Sequence, residues 1–455
     1  MPLSRLPKEI LFLIFDKLDR PAILSLVRTS RHFHDVAVTN YYRSLSPSSL
    51  PLKNLLLLAR TFAESPHLAM LVRHLDLSEW VAREEDRAAA AQVYDDNIAL
   101  QLFDPVRMQL SIGVNNQWLN ALRARNRDAW ISVLLPKMLN LQTLYLDYSH
   151  SPVWTQLVFK RAGCGFRPFD TLPRFRFLSD VRLSANKAWG NWGVSLSCGI
   201  PFFKLPNVQR IAATKVVSWE MNPASTWHYA FPTPQHTSTV KEISIDRIDS
   251  CDELERWTNA CQGLKTFHFG AWDDTSSANQ TFDPVSLRAM LYASEPTLED
   301  LTVTFNSLDS ELPDHPDHQV PALNAWMRSL KRFRMLKHLH MRFPNLIDVS
   351  GRNNQDITDP DLLHTLANDL PESLETLVIT DNYPEHFESL LRELTRLLQS
   401  KSKFPSLSRI SLCMLARGLP DDNLPADLVR RSLVPLTALG QSVGVEVLST
   451  VHTEP

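Results

Sequence analysis

The 455-residue sequence has no excess of basic charge and no long apolar run. Its net charge is −3 and its pI is about 6.6, values that argue against nucleic acid or an anionic membrane as the partner. A membrane-spanning helix needs about 18 consecutive apolar residues, and no stretch approaches that length. Charged residues such as Lys8 and Asp16 interrupt the apolar stretch near the amino terminus, and no small-residue cleavage site follows it. We therefore expect no signal peptide and a cytoplasmic or nuclear location.

Cysteine is scarce and irregularly spaced. The five cysteines are Cys164, Cys198, Cys251, Cys261 and Cys413. No two of them have the C-x-x-C spacing of zinc and redox sites, and an odd, sparse set is typical of free, mostly buried thiols in a reducing compartment. We therefore predict free thiols and no cysteine-based zinc or redox site.

Glycine is also scarce, with 12 residues in the chain. A phosphate-binding loop is hard to build from so few, and the sequence contains no G-x-x-x-x-G-K-[ST], G-x-G-x-x-G or G-x-S-x-G motif. The segment PDHPDHQ places His315 and His318 among carboxylates. Its prolines break the helix that normally carries a metal-binding i, i+4 pair, so we predict a solvated loop. We expect a non-enzymatic protein with no catalytic residue, cofactor or metal site.

The sequence does contain a recurring pattern, apolar-x-x-apolar-x-apolar, which is found ten times. The copies begin at Val72, Leu141, Leu178, Val208, Val240, Leu264, Leu298, Leu336, Leu374 and Leu407. The second half of each copy alternates with period two, which predicts a short strand with one buried face. Helical patterns precede many copies, among them DAWISVLLPKML, PALNAWMRSLKRF, DPDLLHTLANDL and HFESLLRELTRLLQ. We predict an α/β solenoid with one parallel strand per repeat, each repeat covering the core of its neighbour.

This pattern resembles a leucine-rich repeat, whose core reads L-x-x-L-x-L-x-x-N. The asparagine is present in three of the ten copies, as Asn186, Asn306 and Asn382, so we expect irregular turns after the other strands. An ordinary doubly wound α/β domain is the alternative, but ten matches without a glycine-rich phosphate loop favour the solenoid. The first long gap, 78–140, holds the acidic, alanine-rich segment 81–97, which we predict to be a helical insertion or a mobile loop.

The amino-terminal stretch LPKEILFLIFDKLDRPAILSLVRTSRHFHDVA is more apolar than its length explains. Pro7 suits the first position of a helix, which we expect to run to about Leu18. Asp19 can cap a second short helix, and a third is predicted to begin near Ser30. Three helices in about 40 residues are at the lower size limit of independent stability. We therefore expect the solenoid or a partner to cover the surplus apolar surface.

This stretch resembles an F-box, the module that docks onto a Skp-type adaptor of a cullin–RING ubiquitin ligase. The resemblance covers about residues 3–45 and is carried by L-P-x-E-I, I-F, L and L-S-L-V-x-x-S-R-x-F. The family often has tryptophan where Phe33 stands and cysteine around Arg28. By the family's pattern, the residues facing the adaptor are Leu6, Pro7, Ile10, Ile14, Leu24, Leu26 and Val27. The alternative is that these helices only cap the first repeat, as the ends of solenoids require.

We divide the chain into an F-box, 1–45, a linker with the first helix of the array, 46–70, and the solenoid, 71–455. The resemblance implies a substrate-recognition subunit of a ubiquitin ligase; a non-catalytic interaction scaffold outside any ligase is the alternative. Strand residues beside the buried ones should face a polar concave strip, while the long loops hold many of the tryptophans, which either bind a client or fill irregular turns. We predict client contacts at Tyr145, Arg182, Trp189, Trp192, Trp219, His268, Trp272 and His340.

Overall fold

The structure is a computed structural model. The described residues are 6–15, 17–18, 20–47, 50–78, 86–107, 112–148, 152–185, 193–217, 234–248, 254–273, 283–307, 326–348, 364–382, 387–416 and 426–453. Two compact units are present, the first formed by Met1–Ile211 with Met221–Pro232 and the second by Ala212–Glu220 with Thr233–Pro455. In the part of the chain that the structure describes, no helix is both long and apolar enough to span a bilayer.

The first unit begins with three short helices, α1 (Lys8–Phe15), α2 (Arg20–Val27) and α3 (Arg31–Arg43). The predicted start of the third helix is confirmed, because the Ser30 side chain accepts a hydrogen bond from the Phe33 N–H at 3.2 Å, as an N-cap does. The first helix is shorter than predicted and ends at Phe15. The three helices share a small core of their own. Its buried residues are Leu11, Phe15, Ile23, Val36 and Ala37.

The rest of the first unit contains short strands separated by helices. These elements are β1 (Ser44–Leu45), α4 (Leu52–Glu64), α5 (Pro66–Ala69), β2 (His74–Leu77), α6 (Asp86–Ala91), α7 (Asp96–Phe103), α8 (Ile112–Arg123), α9 (Arg127–Leu134), β3 (Thr143–Asp147), α10 (Val153–Cys164), β4 (Asp180–Ser184) and β5 (Val194–Ser195). Strands β1 to β4 pair in chain order, and every pair is parallel. The described part of the 81–97 segment, 86–97, contains α6 and the first residues of α7, so the prediction of a helical insertion holds for these residues.

A short strand joins the amino-terminal helices directly to the repeats. Strand β1 follows α3 without a break and pairs with β2, Ser44 opposite His74. The Arg73 N–H donates to the Arg43 carbonyl oxygen at 2.9 Å. The predicted F-box segment, 1–45, therefore ends inside the sheet.

The second unit repeats the same plan. Strand β6 (Arg210–Val217) crosses the boundary between the units. The following elements are β7 (Glu242–Ile248), α11 (Glu255–Ala260), β8 (Thr266–Asp273), α12 (Pro284–Met290), β9 (Asp300–Ser307), β10 (His338–Arg342), α13 (Phe343–Leu346), α14 (Leu366–Asp369), β11 (Thr376–Asn382), α15 (Phe387–Gln399), β12 (Arg409–Ala416), α16 (Ala426–Ser442) and β13 (Glu446–Thr453). Strands β7 to β13 pair in chain order and in parallel.

The repeat pattern read from the sequence coincides with the core. All three apolar positions of each of the ten copies are buried, and none has more than 2% exposure. Equivalent positions are also in register, for example Leu75 with Leu144 and Leu144 with Val181. The predicted α/β solenoid with one parallel strand per repeat is confirmed.

The structure confirms one predicted helix and contradicts another. The helix predicted in HFESLLRELTRLLQ is confirmed as α15. The helix predicted over 321–333 is wrong for its described part, 326–333, which has no helical residue. There the Met327 N–H donates to the Asn345 carbonyl oxygen at 2.9 Å, and the Leu330 N–H donates to the Asp369 carbonyl oxygen at 2.8 Å. These two backbone donors are bound outside the segment and are not available to a helix of its own.

Candidate functional site

Exposed apolar side chains remain on α1, directly before it and on α2. They are Pro7, Ile10, Leu13 and Leu24, together with the half-buried Ile14, and we call this set the outer apolar face. Leu13 is 63% exposed, Ile10 42% and Leu24 39%, whereas Ile14 is half-buried. A helix as short as α1 normally shows one apolar stripe toward its core. This one is apolar on two sides.

The residues predicted to contact an adaptor divide into two groups. Pro7, Ile10 and Leu24 are exposed on the outer apolar face, and Ile14 is half-buried there. By contrast, Leu6, Leu26 and Val27 are partly buried and pack against the core of the three helices. Leu13 is the most exposed apolar residue of the face and was missed in the sequence. Its spacing of three from Ile10 is the available signal, because residues three and four apart share one side of a helix.

Contacts between α1 and α3 hold the outer apolar face in place. The rings of Phe15 and Phe33 pack edge to face with their centroids 6.3 Å apart, which ties α1 to α3. The Asn40 side-chain amide donates to the Phe12 carbonyl oxygen at 3.3 Å, a second link between the same helices. The exposed side chains are therefore carried on packed helices and not on a loop.

In the first unit, two of the predicted client-binding residues are in contact. The Arg182 guanidinium lies 4.9 Å from the centroid of the Tyr145 ring, a cation–π distance. The buried Asp180 carboxylate holds two cations, with Arg182 Nε at 3.4 Å and Arg210 Nη2 at 2.7 Å. Asp147, which the strand alternation places on the same concave strip, is instead almost completely buried.

In the second unit, the predicted residues His268 and His340 occupy the same row of the sheet. His268 pairs with Thr302, and Thr302 pairs with His340, on successive strands. The Nε2 atom of His268 lies 3.4 Å from Asp300 Oδ1. A hydrogen bond from the protonated ring to this carboxylate raises the pKa of His268, although partial burial opposes the shift. The row therefore carries a titratable, partly exposed group beside an acid.

The tryptophan part of the client prediction is not tested by the structure. Trp189, Trp192 and Trp219 lie outside the described residues, and only the backbone of Trp272, in β8, is described. Several other tryptophans fill the interior. These are Trp118, Trp130 and Trp257, each fully buried.

Side chains that could bind a metal ion do not cluster into a metal site in the described part of the chain. No group of three or more histidine, cysteine, aspartate or glutamate side chains there is arranged to hold an ion, and His315 and His318 lie outside it. The four described cysteines are free, as predicted. Of these, Cys261 is buried, whereas Cys164, Cys198 and Cys413 are partly exposed; Cys251 lies outside the described residues.

Comparison with protein families matches both parts of the chain. Residues 3–47 match the family model of an F-box-like domain. Residues 181–425, more than half of the chain, match that of a leucine-rich repeat domain. The repeats that begin at Val72, Leu141 and Leu178 start before this range, but they have the same pattern and the same buried positions. No curated protein matches the sequence.

Proposed function

The chain belongs to the leucine-rich repeat domain family and carries an F-box-like domain before its repeats, and on that basis we propose that it is the substrate-recognition subunit of a Skp–cullin–F-box ubiquitin ligase. This combination of domains is typical of non-enzymatic receptor proteins. In the proposed complex, the three helices bind a Skp-type adaptor and the repeats bind a protein client. The receptor transfers no group itself. It raises the effective concentration of client lysines near the ubiquitin-charged enzyme.

The outer apolar face is the observation that carries the proposal. Ile10, Leu13 and Leu24 are exposed although the same helices possess a closed core. Complete burial of one such side chain contributes about 1.5–3 kcal/mol, so their exposure has a cost that a bound partner removes. Several exposed large apolar side chains on a small helical module are typical of a protein–protein interface.

The contacts of α3 support the alternative that the helices cap the repeats. The carboxyl end of α3 continues into β1, so this side of the module does cover the first repeat. The outer apolar face belongs to α1 and α2 and is exposed in the same structure. Capping and adaptor binding therefore use different surfaces, and the capping contacts do not weigh against the adaptor.

The strand face of the repeats supports the client part of the proposal. Tyr145 with Arg182 in the first unit, and His268 in the second, offer aromatic, cationic and hydrogen-bonding groups on partly exposed strand positions. Tyrosine and arginine are enriched among the residues that dominate binding energies. The proposal carries with it a cytoplasmic or nuclear location.

Co-purification with a Skp-type adaptor tests the adaptor part of the proposal. The variant Ile10→Glu with Leu24→Glu places two charges on the outer apolar face and leaves the buried core unchanged. We expect it to lose the adaptor and to keep the thermal unfolding midpoint within a few degrees. The control is Ile112→Glu, which changes an 80% exposed isoleucine on α8. Absence of adaptor binding by the wild-type chain, or equal binding by the double variant, would refute the ligase role.

A further inference from the structure

Strand β13, in the second unit, forms an open edge of the sheet. It is the last strand in the sheet order and pairs in parallel with β12, from Arg409 with Glu446 to Ala416 with Thr453. In the part of the chain that the structure describes, no strand pairs with the other side of β13. An open edge of this length is a template for pairing with another strand.

The backbone of β13 directs its hydrogen-bonding groups to two sides. The Glu446 N–H donates to the Ser408 carbonyl oxygen at 2.8 Å, so the backbone of Glu446 faces β12. Along a strand, successive residues turn their N–H and C=O groups to opposite edges. The residues that turn these groups to the open edge are therefore Val447, Ser449, Val451 and Thr453. Their N–H and C=O groups can pair with a second strand.

The core-facing side chains of β13 are less buried than those of the strand beside it. Ile410 and Leu412 of β12 have at most 1% exposure. The residues in register with them are Val447, which is half-buried, and Ser449, which is exposed. On the opposite face of β13, Leu448 is 41% exposed. Apolar surface is therefore left at this edge on both faces of the strand.

The edge also lacks the features that usually prevent strand pairing. Natural edge strands are protected by lysine or proline residues, by bulges or by short length. Strand β13, with the sequence EVLSTVHT, is eight residues long, has no lysine or proline, and is in unbroken register with β12. Its one acidic residue, Glu446, is paired with Arg409, whose Nε atom lies 2.9 Å from Glu446 Oε2. The edge therefore has the properties of an interface.

The strand is complementary to an antiparallel copy of itself. With Ser449 opposite Ser449 of the copy, Val447 is opposite Val451 and Glu446 is opposite His452. Apolar residues then meet apolar ones, and an acid meets a base. Sliding the copy by two residues in either direction loses both matches. In the matched register, the hydrogen-bonded pairs are formed by the same residues that face the open edge. This self-complementarity selects a second copy of the chain as the occupant.

We propose that two copies of the chain pair through their β13 strands, antiparallel and with Ser449 on the two-fold axis. The sheet of one copy then continues into that of the other, and the symmetry closes the assembly at two chains. This inference is independent of the proposed ligase role, because the interface uses neither the outer apolar face nor any predicted client contact.

The mass of the full chain in solution tests the proposal. Sedimentation equilibrium should give about twice the 51.9 kDa of one chain. Ser449→Lys places two cations opposite each other on the axis and should weaken the dimer by about tenfold or more. Ser449→Glu should do the same with two anions. Because Ser449 is exposed in the single chain, both variants should keep their thermal unfolding midpoint within a few degrees.

An equimolar mixture of the two variants provides the strongest check. There the lysine of one chain meets the glutamate of the other, and the dimer should return. A variant that lost the dimer because it misfolded would not be rescued in this way. The matched control is Ser402→Lys, at an exposed serine between α15 and β12, which should leave the mass unchanged.

The outer apolar face is a second surface through which two chains could associate. The measurement is therefore repeated with Ile10→Glu and Leu24→Glu combined, and this variant should remain dimeric. A monomeric wild-type chain, a dimer that Ser449→Lys leaves intact, or a dimer lost in the combined variant would overturn the proposal. So would a mixture without rescue, or assembly beyond two copies. None of these outcomes depends on adaptor binding, so failure of one proposal can be told from failure of the other.

Discussion

The ring of Tyr42, at the end of α3, lies 5.8 Å from the ring of Phe62 in α4. Phe62 is completely buried in the first repeat, and Tyr42 is half-buried. This contact and the pairing of β1 with β2 connect the F-box helices to the repeats through both side chains and backbone. The helices are therefore part of the same packed structure as the first repeat.

Replacing Tyr42 by alanine should weaken this connection. Loss of the aromatic pair and of its buried area is expected to cost about 2 kcal/mol. Chemical denaturation followed by fluorescence measures the loss, and limited proteolysis shows whether cleavage moves to the segment after α3. Leu57→Ala, at a 40% exposed position of α4, is the control and should change little. Equal stability of the two variants would show that the ring contact is not what connects the helices to the repeat.

Leu11 and Leu13 form a matched pair on α1. Leu11 is 1% exposed and Leu13 is 63% exposed, although they are two residues apart. Leu11→Ala leaves a cavity in the core and should destabilise the three helices by about 2–5 kcal/mol. Leu13→Ala should change stability by no more than about 0.5 kcal/mol and should still reduce adaptor binding. Thermal unfolding and adaptor pull-down separate these effects; similar destabilisation by both variants would contradict the division of α1 into two faces.

Asp128 should give the stability of the first unit a pH dependence. Its buried carboxylate accepts from the Trp154 and Thr155 N–H groups at 2.6 and 3.0 Å and so caps α10. Burial raises the pKa of Asp128 to about 6, and the two hydrogen bonds oppose the shift. Because the folded pKa is above the unfolded value, the folded state binds more protons between about pH 4 and pH 6. The contribution of this group is therefore largest at low pH and is lost as the pH rises through about 6.

The comparison with Asp128→Asn isolates that titration. Relative to this variant, the wild-type chain should gain stability as the pH falls from about 7 to about 4, by roughly 2 kcal/mol. Denaturant titrations at several pH values measure the difference. Asp128→Ala removes the acceptor altogether and should cost about 1–3 kcal/mol, with the larger cost at low pH, where Asp128 contributes most. A wild-type advantage that does not change with pH would show that the carboxyl group does not titrate in this range.

Glu299 is predicted to have the opposite pH dependence. Lys265 Nζ and Lys337 Nζ lie 2.6 and 3.0 Å from its two carboxylate oxygens, and their hydrogen bonds lower the pKa of Glu299 to about 2. The stabilisation is thus present above the unfolded pKa and is lost as the pH falls toward the folded one. Glu299→Gln should cost at most about 1 kcal/mol at neutral pH, because the group is partly exposed.

Salt and acid should both reduce the effect of Glu299→Gln. The difference in unfolding free energy between wild type and variant, measured at low and high salt and again near pH 3, provides the check. A difference that persists unchanged at high salt would mean that packing, and not the ion pairs with the two lysines, accounts for it.

The repeat cores could be predicted from the sequence because apolar spacing directly reports burial. The same rule missed the strands at both ends of the array. Strand β13 is in register with β12, but Gly444 and Ser449 stand where the pattern has apolar residues. Strand β1 was missed because the pattern positions on either side of Leu45 hold Tyr42 and Pro47. At the ends of the array, the aligned backbone and not the side-chain pattern identifies the strand.

The candidate sites were predicted less completely than the core. Hydrophobicity alone does not distinguish Leu11 from Leu13, since both are leucines of one short helix and only their packing separates them. Tyr145 and Arg182 come from two repeats and lie opposite each other on neighbouring strands. Such a contact depends on the register of the array, which no local pattern reports.

The direct junction at β1 has a geometric consequence for the proposed ligase. A receptor with a flexible linker could present many client lysines in turn, whereas here no freely rotating segment separates α3 from the sheet. The place at which a client binds along the first repeats would then set its distance from the adaptor. Selection of the modified lysine would follow from that distance as much as from the lysine's own surroundings. The number of repeats between client and adaptor would thus help to determine which lysine is modified.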